Sequence, residues 1–201
     1  MKQKIAVFLT IIMVFFVSTA GAEEKTGIQD YFGIQATTPT PAPNAFRFRD
    51  GIRWGMNTQQ VKALETEPMT ERSMQNWSVM LTQGQVAVSM FTANLVFMFR
   101  EDRLLMSSYE FQDGTENAFI YLSGALCFLY GDKADAEPLK IKSLMDAINP
   151  GRYRIDRIKQ ASQWETGDGT AIYLYYYSQK DFAITYVSPE LGNSIFQTNG
   201  L

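Results

Sequence analysis

Apolar side chains in this 201-residue chain keep two spacings, and stretches of one alternate with stretches of the other. Positions three and four apart mark helices, and positions two apart mark half-buried strands. From Phe46 to Ile52, phenylalanines alternate with Arg47 and Arg49, which suits a short strand ending at the Asp50-Gly51 turn signal. A helix is predicted next. Asn57 offers an N-cap oxygen, Gln60 completes a capping box, and Met56 and Val61 stand at hydrophobic-staple positions. Val61 and Leu64 form its apolar stripe, and Pro68 marks its end. Strands then follow. Trp77, Val79 and Leu81 alternate; Val86 to Phe99 reads as one bent strand or two around Thr92-Ala93-Asn94; Glu101-Asp102 turns the chain; Leu104 to Phe111 returns. This is an antiparallel meander.

The second half repeats the order. Asp113 and Glu116 have capping-box spacing, and Phe119, Leu122, Leu126, Leu129 and Tyr130 fall on one helical face that Gly131 ends as a left-handed C-cap. Pro138 to Ile148 places Ile141, Leu144, Met145 and Ile148 on one face of another helix. Tyr153 to Thr166 holds one strand or two, Gly167-Asp168-Gly169-Thr170 is a hairpin signal, and Ala171 to Tyr177 and Phe182 to Val187 are further strands. The expected fold is α+β, with two tandem helix-plus-meander repeats at residues 46–112 and 113–190 and a tail at 191–201.

The run Ile52-Arg53-Trp54-Gly55-Met56-Asn57-Thr58-Gln59-Gln60-Val61, with Leu64 and Pro68, resembles the outer-membrane assembly lipoprotein family of the SmpA/OmlA (BamE) type. The tandem order is similar to that of the beta-lactamase inhibitory proteins. These resemblances imply two α/β repeats with a concave sheet surface of the kind that grips a target, and they bear on the fold more than on the role. Three features depart from the pattern. No lipobox cysteine is present, Glu65-Thr66-Glu67 stands where a glycine precedes the proline, and the second repeat lacks the Gly-Met turn.

The N-terminus changes the picture of compartment. Lys2 and Lys4 lead an apolar run from Ile5 to Val17, and Ala20-Gly21-Ala22 forms a signal-peptidase site. That run is shorter than the roughly 20 residues a membrane-spanning helix needs. Residues 1–22 are thus expected to be a cleaved signal peptide, with an uncleaved N-terminal anchor as the alternative. The mature chain is then secreted, periplasmic or in the cell envelope, with no stable membrane span. Residues 23–45, with Pro39, Pro41 and Pro43 among small polar residues, read as a flexible Thr/Pro-rich linker.

Loss of Lys2 and Lys4 lowers the 18 basic residues to 16 against 21 acidic ones, a net charge of −5. With no basic cluster, a nucleic-acid partner is not expected. The chain has no histidine, which excludes imidazole-based catalysis and histidine metal sites. Cys127 stands alone among apolar neighbours, so it reads as a buried small hydrophobe and no internal disulfide is possible. Carboxylates such as Glu101-Asp102 are accounted for by turns and caps. No catalytic residue, cofactor or metal is assigned.

What remains is recognition. Tyr173, Tyr175 and Tyr177 share one side of a strand, while Ile172, Leu174 and Tyr176 share the other. If the aliphatic side meets the helices, the three tyrosines form an exposed aromatic ladder that Trp164 and Tyr186 on neighbouring strands extend. Met80, Met90, Met98 and Met106 fall on successive strands and read as core packing or as an adaptable surface. The expected function is that of an exported, non-enzymatic module binding a protein or envelope polymer through its sheet. A structural envelope protein without a dedicated ligand is the alternative.

Overall fold

Asn57 begins helix α1 (Thr58–Leu64) through a complete capping box: its side chain accepts from the Gln60 amide, and the Gln60 side chain accepts from the Asn57 amide. Gly55 holds a positive φ of 80°, which lets the turn exchange hydrogen bonds with Leu104 from both Gly55 and Met56. The computed structural model describes residues 48–49, 51–148 and 154–198. The expected signal peptide, 1–22, and the expected linker, 23–45, lie outside the described residues, as do Phe46, Arg47 and Tyr153. Phe48 and Arg49 form a bend rather than the expected strand, because the Phe48 ring is drawn inward between Tyr109 and Tyr186.

Glu65, just past the end of α1, has a structural role. Its almost fully buried carboxylate receives Arg49 through two bonds of 2.8 and 2.5 Å and the amides of Thr66 and Glu67. Burial alone would lower the Arg49 pKa; the hydrogen bond to Glu65 and the charges around it raise it instead.

Five strands follow: β1 (Met69–Met74), β2 (Trp77–Thr82), β3 (Val86–Val88), β4 (Phe91–Arg100) and β5 (Arg103–Phe111). The polar strand β1 has no apolar alternation to announce it and forms because the edge of β2 offers it partners along all six residues. The break between β3 and β4 falls at Ser89 and Met90, not at Thr92–Asn94, and Ser89 takes a positive φ there. Glu101 and Asp102 both sit at positive φ, the geometry of a tight hairpin.

In the second half, helix α2 (Glu116–Tyr130) is capped by Thr115 instead of Asp113, and Gly131 at φ +89° ends it. Strand β6 (Ala134–Asp135), helix α3 (Pro138–Ile148), strands β7 (Lys159–Glu165), β8 (Ala171–Tyr176) and β9 (Phe182–Val187) and helix α4 (Pro189–Thr198) complete the chain. Residues 191–198, expected as tail, are helical because Leu191 and Ile195, four apart, both find the core.

The fold is α+β, with four helices and one open antiparallel sheet of nine strands among the described residues. The sheet runs β1-β2-β4-β5-β9-β8-β7-β6, with β3 beside β4 off this path. The closing strands of the two halves, β5 and β9, therefore pair at its centre. One face packs under α1 and α2 around Phe97, Phe99, Tyr109, Leu174 and Phe182, a core shared by both halves. The indole of Trp54 also crosses between them, donating to Thr170 Oγ1 at 2.8 Å. The opposite face meets α3 and α4 through Leu144, Met145, Leu191 and Ile195.

Candidate functional site

The sidedness of β8 is as its alternation predicts, but its tyrosine side is not open. Ile172 and Leu174 are buried under α2, and Tyr176 stacks on Phe119 with ring centres 4.7 Å apart. On the other side, Tyr173 is 3% and Tyr175 1% exposed, within the core that α3 and α4 cover; Tyr177 is half-buried at its margin. Strand alternation separates the two faces without saying whether a helix covers the second.

Trp164 and Tyr186 do not extend the ladder. Both are register partners of Ile172, and direct cross-strand partners share a face. They lie buried in the core beneath α1 and α2, the Trp164 indole donating to the Gly131 carbonyl. The five residues expected to act together are thus split across the sheet, and four of them are core.

An open groove does exist on the opposite face, displaced toward the first half. Its floor is Val79 and Leu81 of β2, Val96 and Met98 of β4, and Met106 of β5; Met145 and Ile148 of α3 form one wall. Its volume is about 610 Å³. A bulge between Met98 and Phe99 shifts the β4–β5 register, so Leu105 and Met106 both turn toward this face and Met106 lies directly across from Met98. Of the methionines singled out from the sequence, these two line the groove. Met80 is buried on the other face and Met90 is exposed at the β3–β4 turn. Met74 and Met145 join the lining from β1 and α3.

Polar groups close both ends. Arg72 stands on the β1 side, while Glu110, Asp113 and Asp181 stand at the far end, where Lys180 pairs with Asp113 at 3.6 Å and leaves an excess of carboxylates. Asp181 is held there by accepting from the Asp113 amide at 3.0 Å and the Ser178 hydroxyl at 2.8 Å. Between floor and acidic end runs a chain of hydroxyls. Ser108 and Thr185 are 3.0 Å apart, Thr185 and Tyr175 3.1 Å, and the Tyr175 hydroxyl reaches Met145 Sδ at 3.4 Å. Tyr175 and Tyr177 therefore belong to the groove as part of its polar lining.

Titration is shifted where tyrosines are buried. Burial, helped by the Glu165 carboxylate, pushes the Tyr173 phenol up to about 12. Burial does the same for Tyr109, up to about 12 despite the nearby Arg49 charge, and raises Tyr186 well above its ordinary value. Among the described residues, no three of His, Cys, Asp and Glu gather as a metal-binding group, and no helix is long and apolar enough to cross a membrane.

The groove was not legible as a site because its floor residues read only as strand alternation. The one signal was the methionine on each of β4 and β5. No family model, curated protein or solved structure matches the chain.

Proposed function

We propose that the protein is an exported, non-enzymatic binding module whose groove takes an apolar segment of a partner protein ending in a basic side chain. The observation that carries this reading is the methionine-lined groove beside α3, in which Leu81 and Met98 are left half-buried, with carboxylates at one end. Unbranched thioethers adapt to varied apolar shapes, and carboxylates at the rim orient a cation without requiring its burial. Export and residence in the bacterial envelope belong to the same proposal, supported by the signal-peptide pattern of residues 1–22. So does the finer architecture of two repeats of the BamE and beta-lactamase inhibitory protein type, for which the central pairing of β5 with β9 speaks.

A panel of short synthetic peptides tests the groove reading by fluorescence anisotropy on the mature chain. Apolar peptides ending in lysine should bind, the same peptides ending in glutamate should bind about tenfold more weakly, and Met98→Arg should abolish both. Equal binding by the Met98→Arg variant, or no binding by any apolar peptide, would overturn it. The alternative, a structural envelope protein with no ligand, draws its support from the burial of Tyr173 and Tyr175. It predicts silence across the whole panel.

A further inference from the structure

We infer that the protein pairs with a second copy of itself through the outer face of α2, the two helices crossing antiparallel at Gly124. A surface helix ordinarily carries charge on its solvent side. Helix α2 carries none from Asn117 to Tyr130, and it is apolar on both faces. Phe119, Leu122 and Leu126 fill the core, yet Ile120 is 60% and Phe128 65% exposed on the outside. The β3–β4 turn widens the patch with Met90 at 72%, and Phe91 stands edge-on to Tyr121 at 5.6 Å. A contiguous exposed patch of this kind marks an interaction surface.

Gly124 adds an independent sign. A glycine inside a helix costs about 1 kcal/mol relative to alanine. A Cβ placed on Gly124 would meet nothing within 4 Å, and its backbone is ordinary helix, so the single chain has no packing use for a glycine there. Close approach by another backbone is a use for it.

The patch fits a copy of itself. Ile120, Gly124 and Phe128 are spaced by four, so a two-fold axis through Gly124 sets Ile120 of one copy against Phe128 of the other, twice. The helix dipoles suit the same arrangement, because they oppose. At the ends, Glu116 comes opposite both Asp132 and Lys133 of the other copy, a like and an opposite charge that offset each other. Lys133 already leans along its helix, its Nζ 3.2 Å from Ser123 Oγ. An anionic membrane is the poorer fit, since Asp113, Glu116 and Asp132 flank the patch. A helix of 15 residues is about 22 Å long. A contact built on one helix of this length is small, so association should depend on concentration.

Sedimentation of the mature chain across a concentration series tests this. The mass should double with concentration, and Ile120→Glu or Phe128→Glu should weaken association at least about tenfold with the circular dichroism unchanged. In a Cys127→Ser background, Gly124→Cys should form an interchain disulfide on mild oxidation. Ile120→Cys should not, because the axis faces it toward Phe128 of the other copy. A chain that stays monomeric without crosslinking overturns the proposal, as does a dimer that survives both glutamate variants. Equal crosslinking at positions 120 and 124 overturns it as well. A monomer that floats with neutral phosphatidylcholine vesicles replaces it with a lipid-facing role for α2.

Discussion

Compare the opposite face of the sheet in its two halves. In the second, the row Tyr173, Tyr175, Ala183, Thr185 and Val187 is covered by α3 and α4 and nearly dry. In the first, the row is covered less evenly: Val79 and Val96 are buried, Leu81 and Met98 are only half-buried, and α3 is tied to this side where the Trp77 indole donates to the Ala147 carbonyl at 2.9 Å. The side chains of the two rows are similarly apolar. What differs is the chain between the helix and the meander: the second half inserts α3 ahead of its strands and adds α4 after them, and the first inserts nothing there. Openness on this sheet is therefore a property of connections and not of strand sequence.

That contrast can be broken most forcefully from the covered side. Tyr175→Ala should cost about 3–5 kcal/mol, because it removes a buried ring and strands Thr185 with one hydroxyl partner fewer. Leu81→Ala on the groove floor, half-buried at the start, should cost about 1 kcal/mol or less. Urea unfolding of both variants checks the difference, and similar midpoints would mean that the two rows are equally packed.

Alkaline pH probes the same packing. A phenol whose folded pKa is raised favours the neutral form, so its contribution is complete below the unfolded value near 10 and is lost as pH rises toward 12. With Tyr109 and Tyr173 both pushed up to about 12, stability should hold to pH 10 and fall between 10 and 12. The loss from fully buried Tyr109 alone should be on the order of 1–3 kcal/mol by pH 12. Tyr173→Phe should flatten part of the decline, and a profile unchanged by that substitution would place the Tyr173 hydroxyl in water.

A smaller effect belongs to the first half alone. Asn57→Ala removes the capping box and should cost about 0.5–2 kcal/mol by thermal unfolding, with no effect on the covered row. Smallest of all for stability, Met98→Arg should shift the midpoint by about 0.5 kcal/mol or less while eliminating peptide binding. A large destabilisation by Met98→Arg would show that the groove floor is core and that the openness of the first half has no use.

Much of this architecture could be read from local pattern, since caps, turns and periodicities act over a few residues. The Asn57–Gln60 box, the Glu101-Asp102 hairpin, the Thr166–Thr170 hairpin turn, α3 and the two faces of β8 all follow from neighbours in the chain. Strand β1 did not, because its polar residues pair only once β2 presents an edge. Nor did the fate of the tyrosines. Alternation put Tyr173, Tyr175 and Tyr177 on one side, but only the docking of α3 and α4 decided that this side is core. Neighbourhood alone puts Trp164 and Tyr186 on that side, and register, which long-range pairing sets, places them on the other. The sequence by itself determined the elements that caps, turns and periodicity mark, and which residues within one strand share a side, because those choices are made within a turn or two. Tertiary structure alone decided what lies over each face, and hence where a groove is left, because that depends on contacts between residues distant in the chain.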